Sequence, residues 1–243
     1  MGHPIIAERH VVQTSATGEV MTFEDTTAGG PTVVLVHDLC ASSGAWSVAP
    51  AFDALRAARR IVAVELPGCG ASPAPEEPWE REPYVSALED VLRDVARRHG
   101  GAADLVAFGL GGEIAARAAY RQPHLVRSLA VLRPTGFGAA SKACRALGER
   151  AFTMATTMLA AFGSFAPSVW DPWVAEAVYA DLPVPVVFVE APFTEVVALD
   201  AFWRALPAKP ALRLVRGDGR GSDAKAGKGA HARLGRFRPL RLA

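Results

Sequence analysis

The sequence predicts an α/β protein built on a mostly parallel central sheet of about eight strands with helices on both faces. Three observations predict it: short apolar runs that alternate with helical patterns, an antiparallel hairpin ahead of them, and a strand, glycine turn and helix in immediate succession at residues 104–123. "PTVVLVHD", "RRIVAVELPG", "ADLVAFGLGG", "RSLAVLRPTG", "VPVVFVEAP" and "ALRLVRGDG" are the six runs, each short enough and apolar enough for a strand covered on both sides. Upstream, "IIAERHVVQTS" and "GEVMTFEDT" flank "ATG" and read as a hairpin at one edge of the sheet.

The helices follow from periodicity. From Tyr84 to His99, Val85, Leu88, Val91, Leu92 and Val95 share one face while Glu89, Arg93, Asp94 and Arg97 lie elsewhere, the pattern of a helix lying on a sheet. The helix from Gly112 to Arg121 carries Ala115, Ala116, Ala118 and Ala119, small residues that permit close approach to strands. Between Pro134 and Leu182 the alternation stops, and two helical patterns, "RALGERAFTMATTMLAAFGSF" and "SVWDPWVAEAVYADL", take its place. This segment reads as an inserted helical lid, residues 135–182. There Phe152, Met154, Met158, Phe162, Trp170 and Trp173 either line an apolar cavity or pack the lid's own core.

Composition bounds the function classes. Half of the 243 residues are hydrophobic and 21% are charged, as in ordinary globular domains. Cys40, Cys69 and Cys144 are odd in number and lack ligand spacing, which argues against a disulfide framework or a zinc site and suits a cytoplasmic protein. No metal or cofactor is expected. No export signal or anchor is read in the N-terminal residues, and no apolar stretch approaches the roughly 20 residues a membrane span needs. The net charge of +1 conceals an asymmetry: Arg213–Ala243 carries nine Lys or Arg against two Asp, leaving the remainder net acidic. Residues 221–243, rich in Gly, Ala and Arg, read as a solvated or disordered tail beyond a domain of residues 1–220, or as the product of a shifted reading frame. Only Phe237 interleaves the basic residues, which disfavours a nucleic-acid surface.

Three stretches in order carry a resemblance. "VVLVHDLCASSGAW" is similar to a strand ending in His-Gly before an oxyanion loop, "IVAVELPGCGASPAP" to a strand with its Asp-x-Pro-Gly-x-Gly-x-Ser turn, and "LVAFGLGGEIAARAA" to a Gly-x-Ser-x-Gly nucleophile elbow. The chain resembles the α/β-hydrolase family from about Ile5 to Arg220. What the resemblance implies about the catalytic triad is its absence. The nucleophile position falls on Gly109, the acid position on Thr194 and the histidine position on Arg220; Glu190 and Glu195 lie near the acid position. His231, in "GKGAH", is a second match to the histidine turn if the loop is lengthened, so Asp38, Glu195 and His231 are the acid/base candidates.

The resemblance further implies a pocket edge at His37, Leu39, Gly109 and Leu110, with the Leu39 and Leu110 amides as oxyanion donors, which need no particular side chain. Asp38 stands where glycine is usual, either as a functional carboxylate or because Asp tolerates the left-handed backbone region. Nucleophile, base and orienting acid act as a unit, and without them an oxyanion hole and binding retain only roughly 10³–10⁴ over water. A dinucleotide site is the rival reading, since Gly109-x-Gly111 follows a strand and opens a helix, but its third glycine position holds the bulky Ile114. A thiol nucleophile at Cys40, three residues from His37, has no supporting order, and Glu113 at the start of a helix serves the helix end.

The expectation is therefore an α/β-hydrolase-like protein that binds a small apolar organic molecule under its lid and is not a working serine hydrolase. It is either a cyclase- or lyase-type enzyme or a non-catalytic pseudo-hydrolase binding a ligand or protein partner. A hydrolase with a non-standard base is a further alternative.

Overall fold

Alternating residues in Glu8–Thr14 (β1) and Gly18–Asp25 (β2) pair antiparallel, with Val12 facing Val20 across the hairpin. The computed structural model describes residues 7–39, 44–74, 81–132, 182–189, 203 and 212–215. The expected lid and basic tail, with Glu190, Thr194, Glu195, Arg220 and His231, lie outside them.

The six apolar runs form β3 (Thr32–Val36), β4 (Arg60–Val64), β5 (Ala103–Phe108), β6 (Val126–Leu132), β7 (Val186–Val189) and β8 (Leu212–Val215). They join the hairpin in one sheet of order β1-β2-β4-β3-β5-β6-β7-β8. Every pairing from β4 to β8 is parallel, and only β1–β2 and β2–β4 are antiparallel. β3 and β5 are completely buried along their length, the expected state of parallel strands covered on both faces.

Successive side chains of these strands feed opposite cores. On one side, α2 (Arg81–His99) and α3 (Gly111–Arg121) cover Val34, Val36, Leu105 and Ala107. On the other, α1 (Ala49–Leu55), a short helix that the sequence analysis does not single out, and Trp203 cover Val33, Leu35, Val106 and Phe108. The Arg59 guanidinium lies 4.4 Å from the centroid of the Trp203 ring. Ala115, Ala116, Ala118 and Ala119 are all fully buried, so α3 approaches the sheet as its small residues require.

Register decides what meets at the carboxyl ends of the strands. Val36 is paired with Val64 on one side and Ala107 on the other. Two residues further along three parallel strands, Asp38 therefore comes level with Leu66 and Gly109.

Candidate active site

The β5–α3 connection turns through Gly109, whose φ of +51° lies in the left-handed region that side-chain-bearing residues avoid. Its N–H donates to the Leu132 carbonyl at 3.0 Å, and the N–H groups of Gly112 and Glu113 return to the carbonyls of Gly109 and Leu110. The bend of a nucleophile elbow is thus present with no nucleophile on it.

The space beside Gly109 is filled from β3. A Cβ built on Gly109 would collide with the Asp38 carboxyl carbon and both carboxyl oxygens. Asp38 Oδ1 accepts the Leu110 N–H at 2.7 Å. A carboxylate contributed by the neighbouring strand therefore lies where a nucleophilic side chain of residue 109 would lie. It engages one of the free N–H groups at the start of α3, where the helix dipole favours negative charge. The Leu110 amide, implied as an oxyanion donor, is committed to this bond.

His37 is fully buried, and both ring nitrogens have backbone partners. The Leu66 N–H can only donate, so Nε2 accepts at 3.0 Å and Nδ1–H donates to the Asp38 carbonyl at 2.7 Å. Burial lowers the His37 pKa to about 4, against the smaller raising effect of the Asp38 carbonyl bond. The neutral ring therefore tethers the end of β3 to the turn after β4 and has no lone pair left for proton transfer. Leu39 is buried beside it.

That turn holds a further buried carboxylate. Glu65 occupies the Asp position of the Asp-x-Pro-Gly-x-Gly-x-Ser pattern and is 5% exposed. Its carboxylate accepts the N–H groups of Ala45 at 3.0 Å and Ala71 at 2.6 Å, while its carbonyl accepts Ser72 Oγ–H at 2.6 Å. Glu65 thereby fixes the start of the helical segment at Ala45. The signal was available in the sequence: one extra methylene needs room, and Gly70, at φ +57°, supplies it, since a Cβ there would overlap the carboxylate.

Glu113 does more than serve a helix end. It is completely buried, with Oε1 accepting from Arg81 at 2.9 Å and from Arg117 at 3.0 Å, and it ties α3 to the start of α2. Burial raises its pKa against the opposing pull of those two guanidinium groups. Cys69 is partly exposed, because it sits in the turn that Glu65 organises rather than on a strand. Cys40 lies outside the described residues.

Parallel strand order, the elbow and the turn after β4 define an α/β-hydrolase architecture. The model of the alpha/beta hydrolase family matches residues 33–241, and the chain belongs to that family. A pimeloyl-[acyl-carrier protein] methyl ester esterase of Nitrosomonas europaea is 30% identical over 111 residues, which span 46% of this chain and 40% of that protein. Among solved structures, the naproxen esterase of Bacillus subtilis superposes with a TM-score of 0.55 at 16% identity, covering 96% of this chain and 92% of that one. The epoxide hydrolase VrEH1 of Vigna radiata gives 0.56 at 15% identity, covering 88% and 92%. At these identities the likeness concerns the fold.

Proposed function

We propose that this α/β-hydrolase-family protein binds a small apolar organic molecule at the carboxyl end of its sheet, beneath the lid expected at residues 135–182, and performs no serine-type acyl transfer. One observation carries the reading: the Asp38 carboxylate fills the nucleophile's place and holds the Leu110 amide. A tetrahedral intermediate needs an attacking group at that place and open donors for its oxyanion, and a carboxylate there supplies neither serine chemistry nor a favourable field. His37, neutral and bonded at both nitrogens, supports the same conclusion, since it is unsuited to act as the missing base.

Within this reading the chain is a cyclase- or lyase-type enzyme, using Asp38 as its proton-transfer group, or a non-catalytic binder of a ligand or protein partner, and it works in the cytoplasm. The identity to an esterase favours a second reading, a hydrolase that recruits Glu195 or His231 as a non-standard acid or base.

Fluorophosphonate labelling with peptide mapping separates the readings, together with turnover of p-nitrophenyl acyl esters against a denatured control. The proposed function expects no labelled serine and no ester turnover above the control. Stoichiometric labelling of one serine would overturn it in favour of the esterase reading.

A further inference from the structure

A second group of titratable side chains joins the hairpin to the C-terminal end of α2, at the amino ends of β4 and β5 and so across the sheet from Gly109. Glu24 on β2 is 6% exposed, and its carboxylate accepts from Arg98 through both oxygens and from Thr22 Oγ1–H at 3.1 Å. Arg98 Nε donates to Asp94 Oδ2 at 2.6 Å, Arg97 Nη2 donates to Asp94 Oδ1 at 2.7 Å, and His10 Nε2 of β1 lies 3.5 Å from Asp94 Oδ2. Arg60, at the start of β4, donates to the His99 carbonyl at 3.2 Å.

His99 completes the group with a conflict. Its Nε2 lies 3.0 Å from Arg98 Nη1 and 3.3 Å from Glu24 Oε2. A guanidinium only donates and an ionised carboxylate only accepts, so one ring nitrogen cannot serve both. Neutral, with its proton on Nδ1, the ring accepts from Arg98 and sets a lone pair against Glu24. Protonated, it donates to Glu24 and sets its N–H against that of Arg98. The side chains of Glu24, Arg98 and His99 are 5%, 18% and 12% exposed, so water does little to relieve either clash.

We propose that His99 is a proton-operated switch between the hairpin and α2: on protonation it replaces Arg98 Nη1 as the donor to Glu24 Oε2, and in the neutral form it returns that place to Arg98. The device is independent of the ligand-binding reading.

Burial lowers the His99 pKa below the ordinary histidine value, and the charges of Arg98 and Arg60 lower it further against the pull of Glu24. Burial raises the Glu24 pKa, but the Arg98 bonds outweigh it and hold the carboxylate ionised, ready for a second donor. The folded chain therefore takes the His99 proton less readily than an unfolded one, and the junction loses stability as pH falls from the ordinary histidine value towards the folded one. Protonation brings Arg60, Arg98 and His99 together as cations, so Nη1 withdraws while Arg98 keeps its bonds to Asp94 and to Glu24 Oε1.

The test follows the side chains of the full chain, labelled with ¹³C and ¹⁵N, from about pH 8 to about pH 5, the range in which histidine changes charge. At the upper end the His99 Nε2 resonance should be that of a bare, accepting nitrogen. Towards the lower end it should become that of an N–H nitrogen, and the Glu24 Cδ and Arg98 guanidinium resonances should move with the same midpoint. Glu24→Gln removes the charge that receives the new N–H, and should lower that midpoint by roughly one pH unit or hold the ring neutral throughout. In His99→Gln, whose amide gains no charge, Glu24 Cδ should stay still over the range. His10 faces Asp94, so its influence falls on Asp94 Cγ instead.

A ring that carries its proton on Nε2 at about pH 8, or that stays neutral down to about pH 5, would overturn the switch. So would a His99 titration that leaves Glu24 Cδ and Arg98 unmoved, or an unchanged midpoint in Glu24→Gln. Should either variant fail to fold, the shared midpoint on the unmodified chain decides the matter.

Discussion

Two carboxylates, Asp38 after β3 and Glu65 after β4, solve the same local problem and reach different ends. Each accepts backbone N–H groups of a neighbouring loop, and each occupies space left by a glycine in the left-handed region, Gly109 for Asp38 and Gly70 for Glu65. Glu65 is 5% exposed and turned inward, its bonds closing one loop on another. Asp38 is half-buried at the mouth of the strands and meets the start of a helix. The comparison teaches that a carboxylate against a positive-φ glycine is a packing device in itself. What makes one of the pair a candidate for function is the place where the register leaves it. The two are also mechanically joined, because His37 bonds the carbonyl of Asp38 on one side and the amide of Leu66 on the other.

The contrast is broken most directly at Glu65. Replacing it by Ala strands the buried N–H of Ala45 and takes the acceptor from that of Ala71, a loss of about 2–5 kcal/mol, or roughly 10 °C in the thermal midpoint. Calorimetry of Glu65→Ala should show that loss, and a change below about 1 kcal/mol would remove Glu65 from its structural role.

At the elbow, Gly109→Ser adds a side chain to a left-handed residue, which costs roughly 1–2 kcal/mol, and drives it into the Asp38 carboxylate. We expect a total loss of about 2–4 kcal/mol and no esterase activity. Adding Asp38→Gly should recover part of it, so a double-mutant cycle in urea should give a coupling of about 1 kcal/mol or more. Additive losses would mean that the two positions do not share the space.

The link between the regions is tested by pH. The folded His37 pKa, about 4, lies below that of an unfolded histidine, roughly 6.5. Between these values the unfolded chain binds the proton and the folded chain does not. The contribution of His37 is therefore complete above about pH 6.5, falls as pH drops, and levels off below about 4, a change of about 3 kcal/mol. Denaturation midpoints of wild type and His37→Gln should draw together from neutral pH to pH 4, with the wild type showing the steeper fall. Parallel curves would mean that the folded chain protonates the ring.

The smallest effect belongs to Asp38→Asn. Asn keeps an acceptor for Leu110 but removes a negative charge from the start of α3, so stability should fall by about 0.5–1 kcal/mol. A loss as large as that of Glu65→Ala would erase the distinction between the two carboxylates and make Asp38 a structural residue first.

The sheet and the succession of its elements were legible in the residues alone. Six short, largely apolar runs, the two alternating strands around "ATG" and the alanine-lined helix are local signals, each readable within about ten residues because burial of a strand or helix face is written in its own periodicity. Gly109 at the nucleophile position was legible in the same way. The candidates Thr194, Glu195, Arg220 and His231 rest on sequence alone, since they lie outside the described residues. What fills the elbow was settled by the packing of strands distant in the chain. Asp38 and Gly109 are separated by the whole of α1, β4, α2 and β5, and nothing local to either says that the carboxylate of one will take the space and the amide partner of a nucleophile on the other. That outcome comes from parallel register across β3 and β5, a property of strand pairing rather than of either strand. The tautomer of His37 was likewise fixed by Leu66, and the Ala45 partner of Glu65 by the return of a segment twenty residues earlier, contacts that exist only once the strands are side by side.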